Sequence, residues 1–268
     1  MGGAALFHCG KEADSVNYRI LLLDSTVTSD AGLIGMPVWG ECGFEIAGRT
    51  TDPAGAVSAW SRGDFDALLC VHRPSQQTAV EVLSRMQKRE PDVPVIIVST
   101  ADDSVCMRQC FLYGAMDFLV MPLHDEDLHS VLKRAAEKLD QRVMHEEYHA
   151  ALASAIRALQ DKDVSDAITE KLRDLLLSSM ECTVTTESAA EFFGFNRDYF
   201  SRYFKSRTGM TFSEFYKGFT IEYAKLLLSG GHFKVQEVSD ILGFSTADYF
   251  TRIFKKRTGK TPSEFKKL

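Results

Sequence analysis

Two short stretches, fifty residues apart, carry side chains able to recognise nucleic acid. Asp198, Ser201, Arg202, Lys205 and Arg207 recur as Asp248, Thr251, Arg252, Lys255 and Arg257, with Lys256 added in the second set. The sequence around them is one pattern written twice, DYFSRYFKSRTGMTFSEF from Asp198 to Phe215 and DYFTRIFKKRTGKTPSEF from Asp248 to Phe265. Arg is the side chain that most often reads a base edge, by a bidentate contact to guanine, and Ser and Thr also serve there. Asp198 and Asp248 could accept from cytosine or orient the Arg; equally, they could only cap the helix N-terminus. The base-reading candidates are therefore Asp198, Ser201, Arg202, Asp248, Thr251 and Arg252. Lys205, Arg207, Lys255, Lys256 and Arg257 lie further along and suit phosphate contact. Repetition at a fixed offset means one structural unit used twice.

Those side chains need helices to hold them. Tyr199, Phe200, Tyr203 and Phe204, with Tyr249, Phe250, Ile253 and Phe254, recur at helical spacing and are expected to form a core-facing stripe. A short helix that Thr185 or Thr186 can cap ends at Gly194, and a helix from about Arg197 to Arg207 follows a tight turn at Phe195-Asn196. That is helix-turn-helix grammar. A long helix from Ser213 to Ser229 stops at Gly230-Gly231. Val235–Leu242, Gly243 and a helix from Thr246 to Arg257 then repeat the arrangement, and a last helix begins at Pro262.

Net charge over the 268 residues is −6, which alone argues against nucleic acid, but its distribution does not. Residues 181–268 hold 14 Lys and Arg against 10 Asp and Glu, net +4, and the rest of the chain is net −10. An acidic domain joined to a mildly basic, anion-facing one is implied. The apolar fraction of 45% supplies material for two cores. No apolar run is long enough to span a bilayer. Residues 1–17 read as a disordered leader, not a secretory signal. Cys9, Cys42, Cys70, Cys106, Cys110 and Cys182 have no bridge spacing and read as reduced thiols. Cys106 and Cys110, one helical turn apart, could share a metal, but no His or second Cys pair in the sequence completes a set, so packing is favoured and no metal or cofactor is expected.

The acidic half alternates strands with helices. Strands are expected at residues 18–24, 44–47, 66–71, 93–99 and 118–120, with helices at 53–61, 76–89 and 103–113 and a long one from Asp125. That order gives a doubly wound parallel sheet, with chemistry at the carboxyl ends of its strands. Those ends are Asp24-Ser25, Cys70-Val71-His72, Ser99-Thr100 and Met121-Pro122. The stretches ILLLDS, GFEIAGRTTDPAGAV, FDALLCVHRP, PVIIVSTAD and YGAMDFLVMP, across residues 18–140, resemble the receiver domain of two-component response regulators, a flavodoxin-like fold. The resemblance implies phosphoryl transfer onto an Asp. That reaction needs an acid pair for Mg²⁺ after strand one, the acceptor Asp after strand three, a hydroxyl after strand four and a Lys after strand five. Here Asp24 and the hydroxyl of Ser99 or Thr100 remain. The second acid is Ser25, the acceptor position falls on Cys70 or Val71, and the Lys position is Met121. A degenerate receiver, not phosphorylated in the usual way, is expected. Cys70 and His72 are read as a buried small residue and a structural or exposed His, in preference to a sensor or an enzyme centre.

Residues 123–193 contain neither Pro nor Gly, which favours long helices. Leu128, Leu132, Ala135, Leu139 and Val143 form a stripe near heptad spacing, either packed on its own domain or a dimer seam. A helical connector at 141–163 and a DNA-binding domain at 164–268 follow.

GFNRDYFSRYFKSRTGMTFSEF and GFSTADYFTRIFKKRTGKTPSEF resemble the AraC/XylS-type DNA-binding domain, with two helix-turn-helix units joined by a long helix. Thr220 and Ser239 depart from the family's usual Arg and Ala. The resemblance implies a cytoplasmic bacterial transcription regulator that is not an enzyme, with double-stranded DNA as partner and its two reading helices in adjacent major grooves. RNA polymerase is a further candidate partner, as is a second copy of the chain through the receiver-like domain or the connector helix. The alternative is a phosphorylation-independent regulator whose receiver-like half binds a protein or a small ligand.

Overall fold

A computed structural model describes residues 18–26, 31–62, 65–74, 76–162, 164–180 and 183–267. The leader at 1–17, Cys9 and Cys182 lie outside the described residues. The chain divides into two compact units, Met1–Asp140 and Gln141–Leu268.

The first unit runs β1 (Tyr18–Leu23), α1 (Ala31–Ile34), α2 (Val38–Glu41), β2 (Phe44–Thr50), α3 (Pro53–Trp60), β3 (Ala67–His72), α4 (Thr78–Gln87), β4 (Val95–Ser99), α5 (Ser104–Leu112) and β5 (Asp117–Val120). All strand pairs are parallel, in the order β2-β1-β3-β4-β5. This is the doubly wound sheet that the alternation implies. Successive side chains on a strand point to opposite faces, so both faces of a helix-covered sheet must be apolar. Ile20, Leu22, Leu69, Val71, Ile96 and Val98 fill one side. Leu21, Leu23, Leu68, Cys70 and Ile97 fill the other, against Ala56, Ala79, Leu83, Cys106 and Cys110. The short helices α1 and α2, absent from the sequence expectation, seat Leu33, Val38 and Trp39 in the first of these cores.

Helix α6 (Asp125–Gln160) is one continuous element. Leu128, Leu132, Ala135 and Leu139 are buried in the first unit's own core, so the apolar stripe offers no free dimer seam there. Tyr148, Ala151, Leu152, Ile156 and Leu159 are buried in the second unit's core. The segment expected as a separate connector, 141–163, thus contributes these five residues to that core. Its Tyr148 hydroxyl donates to the Leu176 carbonyl at 2.6 Å, and burial pushes the phenol well above its ordinary range.

The second unit continues with α7 (Asp166–Ser178), α8 (Thr186–Phe193), α9 (Arg197–Thr208), α10 (Phe212–Ser229), α11 (Val235–Ile241), α12 (Ala247–Thr258) and α13 (Pro262–Lys266). The repeated RTG-x-T-x-SEF has a direct structural explanation. Gly209 (φ 76°) and Gly259 (φ 79°) end α9 and α12 in the left-handed conformation, which costs a residue without Cβ little. Two residues on, Thr211 and Thr261 cap the next helix. Each accepts from the backbone N–H of Glu214 or Glu264, at 3.2 and 3.3 Å, while that Glu accepts from the Thr backbone N–H, at 2.9 and 2.7 Å. Thr208 and Thr258 donate to the carbonyls of Phe204 and Phe254, both at 2.9 Å. Each motif is therefore a glycine stop joined to a capping box, repeated to within tenths of an ångström. Of the two departures from the family pattern, Thr220 donates to the Tyr216 carbonyl at 2.9 Å, whereas Ser239 is fully buried with no partner for its hydroxyl among the described residues.

Candidate nucleic-acid interface and receiver pocket

Phe200, Phe204, Phe250 and Phe254 are each 0% exposed and anchor α9 and α12 from beneath. Phe200 and Phe204 pack on Phe212, and Phe254 sits edge-on to Phe265 at 5.6 Å. Tyr199 and Tyr249 do not join them. They are 48% and 40% exposed, a correction to the stripe expected from spacing. Adjacent residues on a helix are about 100° apart, so only two of each four can point straight inward.

The outward faces hold the predicted set. Asp198, Arg202, Lys205 and Arg207 on α9, and Asp248, Arg252, Lys255, Lys256 and Arg257 on α12, are all exposed. Ser201 and Thr251 are half-buried, and the Ser201 hydroxyl donates to the Arg197 carbonyl at 2.8 Å. The side chains of Asn196 and Thr246 cap α9 and α12, so Asp198 and Asp248 are not the caps. The Arg252 guanidinium lies over the Tyr249 ring at 5.3 Å, and Arg207 over Tyr203 at 5.9 Å. Sequence reasoning passed over Arg197. It is the first residue of α9, exposed, and 2.8 Å from Glu187. In helix-turn-helix docking the N-terminal residues of the recognition helix reach base edges, so its position is the signal that could have marked it.

In the first unit, the register pairs Leu23 with Cys70 at the end of β3. Cys70 and Val71 are buried on opposite faces of the sheet, and burial pushes the Cys70 thiol far above its ordinary range. Asp24 is 0% exposed. Its Oδ1 accepts from Arg73 Nη1 at 2.6 Å and from the Thr26 backbone N–H at 3.0 Å, and Arg49 Nη2 lies 3.5 Å from its Oδ2. Arg73 also donates to Thr26 Oγ1 at 2.6 Å. Ser25 donates to Gln76 at 2.7 Å, Ser99 is buried and donates to the Ala101 carbonyl at 2.6 Å, and Met121 is half-buried against the core. The pocket thus brings Asp24 together with two arginines that sequence reasoning did not place there. His72, expected to be structural or exposed, is buried, with Nε2 3.4 Å from Asp103 Oδ2.

A doubly wound receiver sheet and a pair of capped helix-turn-helix units define a transcriptional regulator. Residues 39–133 match the response regulator receiver domain, and residues 189–268 match the helix-turn-helix domain. The chain thus joins a response regulator receiver domain to a helix-turn-helix domain of the AraC type. It is 24% identical over 229 residues to the transcriptional regulatory protein HptR of Staphylococcus aureus, covering 85% of this chain and 90% of that one. An uncharacterized response regulatory protein of Staphylococcus epidermidis is 24% identical over 228 residues, with the same coverage, 85% and 90%. Among solved structures, the C-terminal domain of AraT, a response regulator from Geobacillus stearothermophilus, is 26% identical with a TM-score of 0.35, over 39% of this chain and 86% of that one. The C-terminal domain of the two-component response regulator yesN from Fusobacterium nucleatum is 27% identical with a TM-score of 0.36, over 38% and 99%. The helix-turn-helix domain implies DNA as a partner. Among the described residues, no helix is long and apolar enough to cross a membrane.

Proposed function

We propose that the chain is a sequence-specific DNA-binding transcription regulator whose receiver domain works without phosphorylation at an Asp. The observation that carries this reading is the buried pair of Asp24 and Arg73, at 2.6 Å. In phosphoryl transfer to a carboxylate, divalent metal neutralises the developing charge. Here an internal guanidinium, with a second 3.5 Å from the other carboxylate oxygen, supplies positive charge at the acid that would hold the metal. The register pairs Leu23 with Cys70, and neither Cys70 nor the following Val71 has a side-chain oxygen to accept a phosphoryl group. Displacing Arg73 would remove the shortest of the described polar contacts that hold a fully buried carboxylate.

Incubation with acetyl phosphate and Mg²⁺ tests the proposal. The expected result is no hydroxylamine-labile adduct by intact-mass spectrometry and no change in operator affinity. An adduct mapping to β3 or to Asp24 overturns it. A protein partner as the input is supported by α5, where Val105, Phe111 and Leu112 are exposed. Operator affinity that shifts on adding cell extract, but not on adding its small-molecule filtrate, distinguishes that input from a ligand.

A further inference from the structure

We propose that His72, Asp103 and Cys106, with the Cys110 thiol swinging in as a fourth donor, form a binding site for a thiophilic divalent transition metal of the Zn²⁺ class. The proposal is independent of the phosphorylation reading.

Two elements converge on this site. His72 ends β3, Asp103 caps α5, and Cys106 and Cys110 lie on the buried face of α5 one turn apart. The donor atoms of His72, Asp103 and Cys106 all lie within 4.8 Å of one another. Zinc bonds of about 2.3 Å to sulfur and about 2.0–2.1 Å to nitrogen or oxygen give tetrahedral edges of roughly 3.8 Å between two sulfurs and roughly 3.4 Å between nitrogen and oxygen. The Cys106 and Cys110 sulfurs are 3.7 Å apart, and His72 Nε2 is 3.4 Å from Asp103 Oδ2. Both separations match edges of a coordination tetrahedron, and the Cys110 sulfur, outside the 4.8 Å group, must move inward to complete it.

His72 supplies a separate argument. It is 2% exposed, and its Nδ1 has no hydrogen-bond partner among the described residues. Its contact to Asp103, at 3.4 Å, is long for a hydrogen bond, whose usual length is about 2.9–3.0 Å. Buried polar groups are ordinarily satisfied, and a ring with one long contact and one empty nitrogen is not. Metal on Nε2 would satisfy that nitrogen directly. The empty Nδ1 lacks the outer acceptor that raises ligand basicity, which points to intermediate affinity.

The donor set selects the metal. Two thiols, an imidazole and a carboxylate suit Zn²⁺ and its borderline-soft neighbours; Mg²⁺ takes oxygen. Burial pushes both α5 thiols up, Cys110 to about 12, so the metal binds as two thiol protons leave to solvent. Bound metal would tie the end of β3 to the start of α5. Asp103 already accepts from the Cys106 backbone N–H at 2.9 Å, which fixes the first turn of that helix without metal.

The test uses the full chain, reduced, stripped with chelator and titrated with Co²⁺. The expected result is saturation at a single Co²⁺ with a thiolate-to-cobalt charge-transfer band and tetrahedral d–d bands, both bleached by Zn²⁺. Cys106→Ser should remove most of the charge-transfer band, and Cys110→Ser should lower it. Asp103→Asn keeps a residue type that caps helices but loses the carboxylate, and should weaken Co²⁺ by at least the ~10–100-fold that loss of an outer-shell partner costs. A Cys9→Ser, Cys182→Ser chain should retain the full spectrum, and circular dichroism should show every variant folded. Absence of the band in the unmutated chain, its survival in Cys106→Ser, or an unchanged affinity in Asp103→Asn overturns the site.

Discussion

At the scale of single residues, the proposed recognition and attachment roles predict separable effects on α12. Arg252 projects from the middle of the outward face over Tyr249, while Lys255 lies one turn closer to the C-terminus. A guanidinium that reads a base edge contributes discrimination, and an ammonium on phosphate contributes affinity to all sequences alike. Arg252→Ala is therefore expected to cost ~1–3 kcal/mol on the operator and much less on random DNA. Lys255→Ala should weaken both equally and lower the salt slope by about one. Fluorescence anisotropy on the two DNAs across a salt series checks both; equal losses for Arg252→Ala would remove its assignment. The exposure of both positions was legible in the sequence, because the aromatic stripe of the repeat leaves them on the opposite face. Tyr249 was misplaced because spacing gives a residue's angle on the helix but not how far the neighbouring helix reaches. Arg73 and His72 were out of reach for another reason. Their partners, Asp24 and Asp103, are 49 and 31 residues away in the chain, and only the strand order brings them together.

At the scale of elements, α10 and α13 share a start that depends on charge. Glu214 and Glu264 accept from the backbone and hydroxyl of Thr211 and Thr261, and these hydrogen bonds hold both carboxyls below their ordinary range. A carboxyl lowered in the folded state contributes stability that is present above the unfolded value and lost as pH falls through the folded one. Thermal melts of the protein should therefore show the helix-turn-helix unit weakening as pH drops from the ordinary glutamate range through the lowered values. Glu264→Gln keeps a hydrogen-bonding group but removes the titration, so its melts should fall less steeply over that window. An unchanged slope in the Glu214→Gln, Glu264→Gln chain would assign the acid sensitivity elsewhere. These boxes could be read from T-x-x-E, as could the glycine stops before them. The two short helices after β1 could not: each is a single turn of four residues, below the length at which periodicity is visible.

At the scale of the whole molecule, the proposed reading gives one chain two reading helices where a symmetric repressor obtains them from two subunits. Adjacent major grooves on one face are separated by one helical turn, about 10–10.5 base pairs. Inserting about five base pairs between the two half-sites turns the second to the opposite face, and should reduce the protein to the affinity of one unit. Footprinting that shows an unchanged two-site pattern on the inserted operator would require a jointed, not fixed, arrangement of α9 and α12. The receiver half bears on this through the buried Asp24 and Arg73. A phosphoryl group is a timer: it arrives, is hydrolysed, and the protein resets. A guanidinium built into the chain is never released and has no lifetime. On the proposed reading, a cell that makes this regulator sets its response by how many copies it holds and what they are bound to, and ends the response by dilution or degradation.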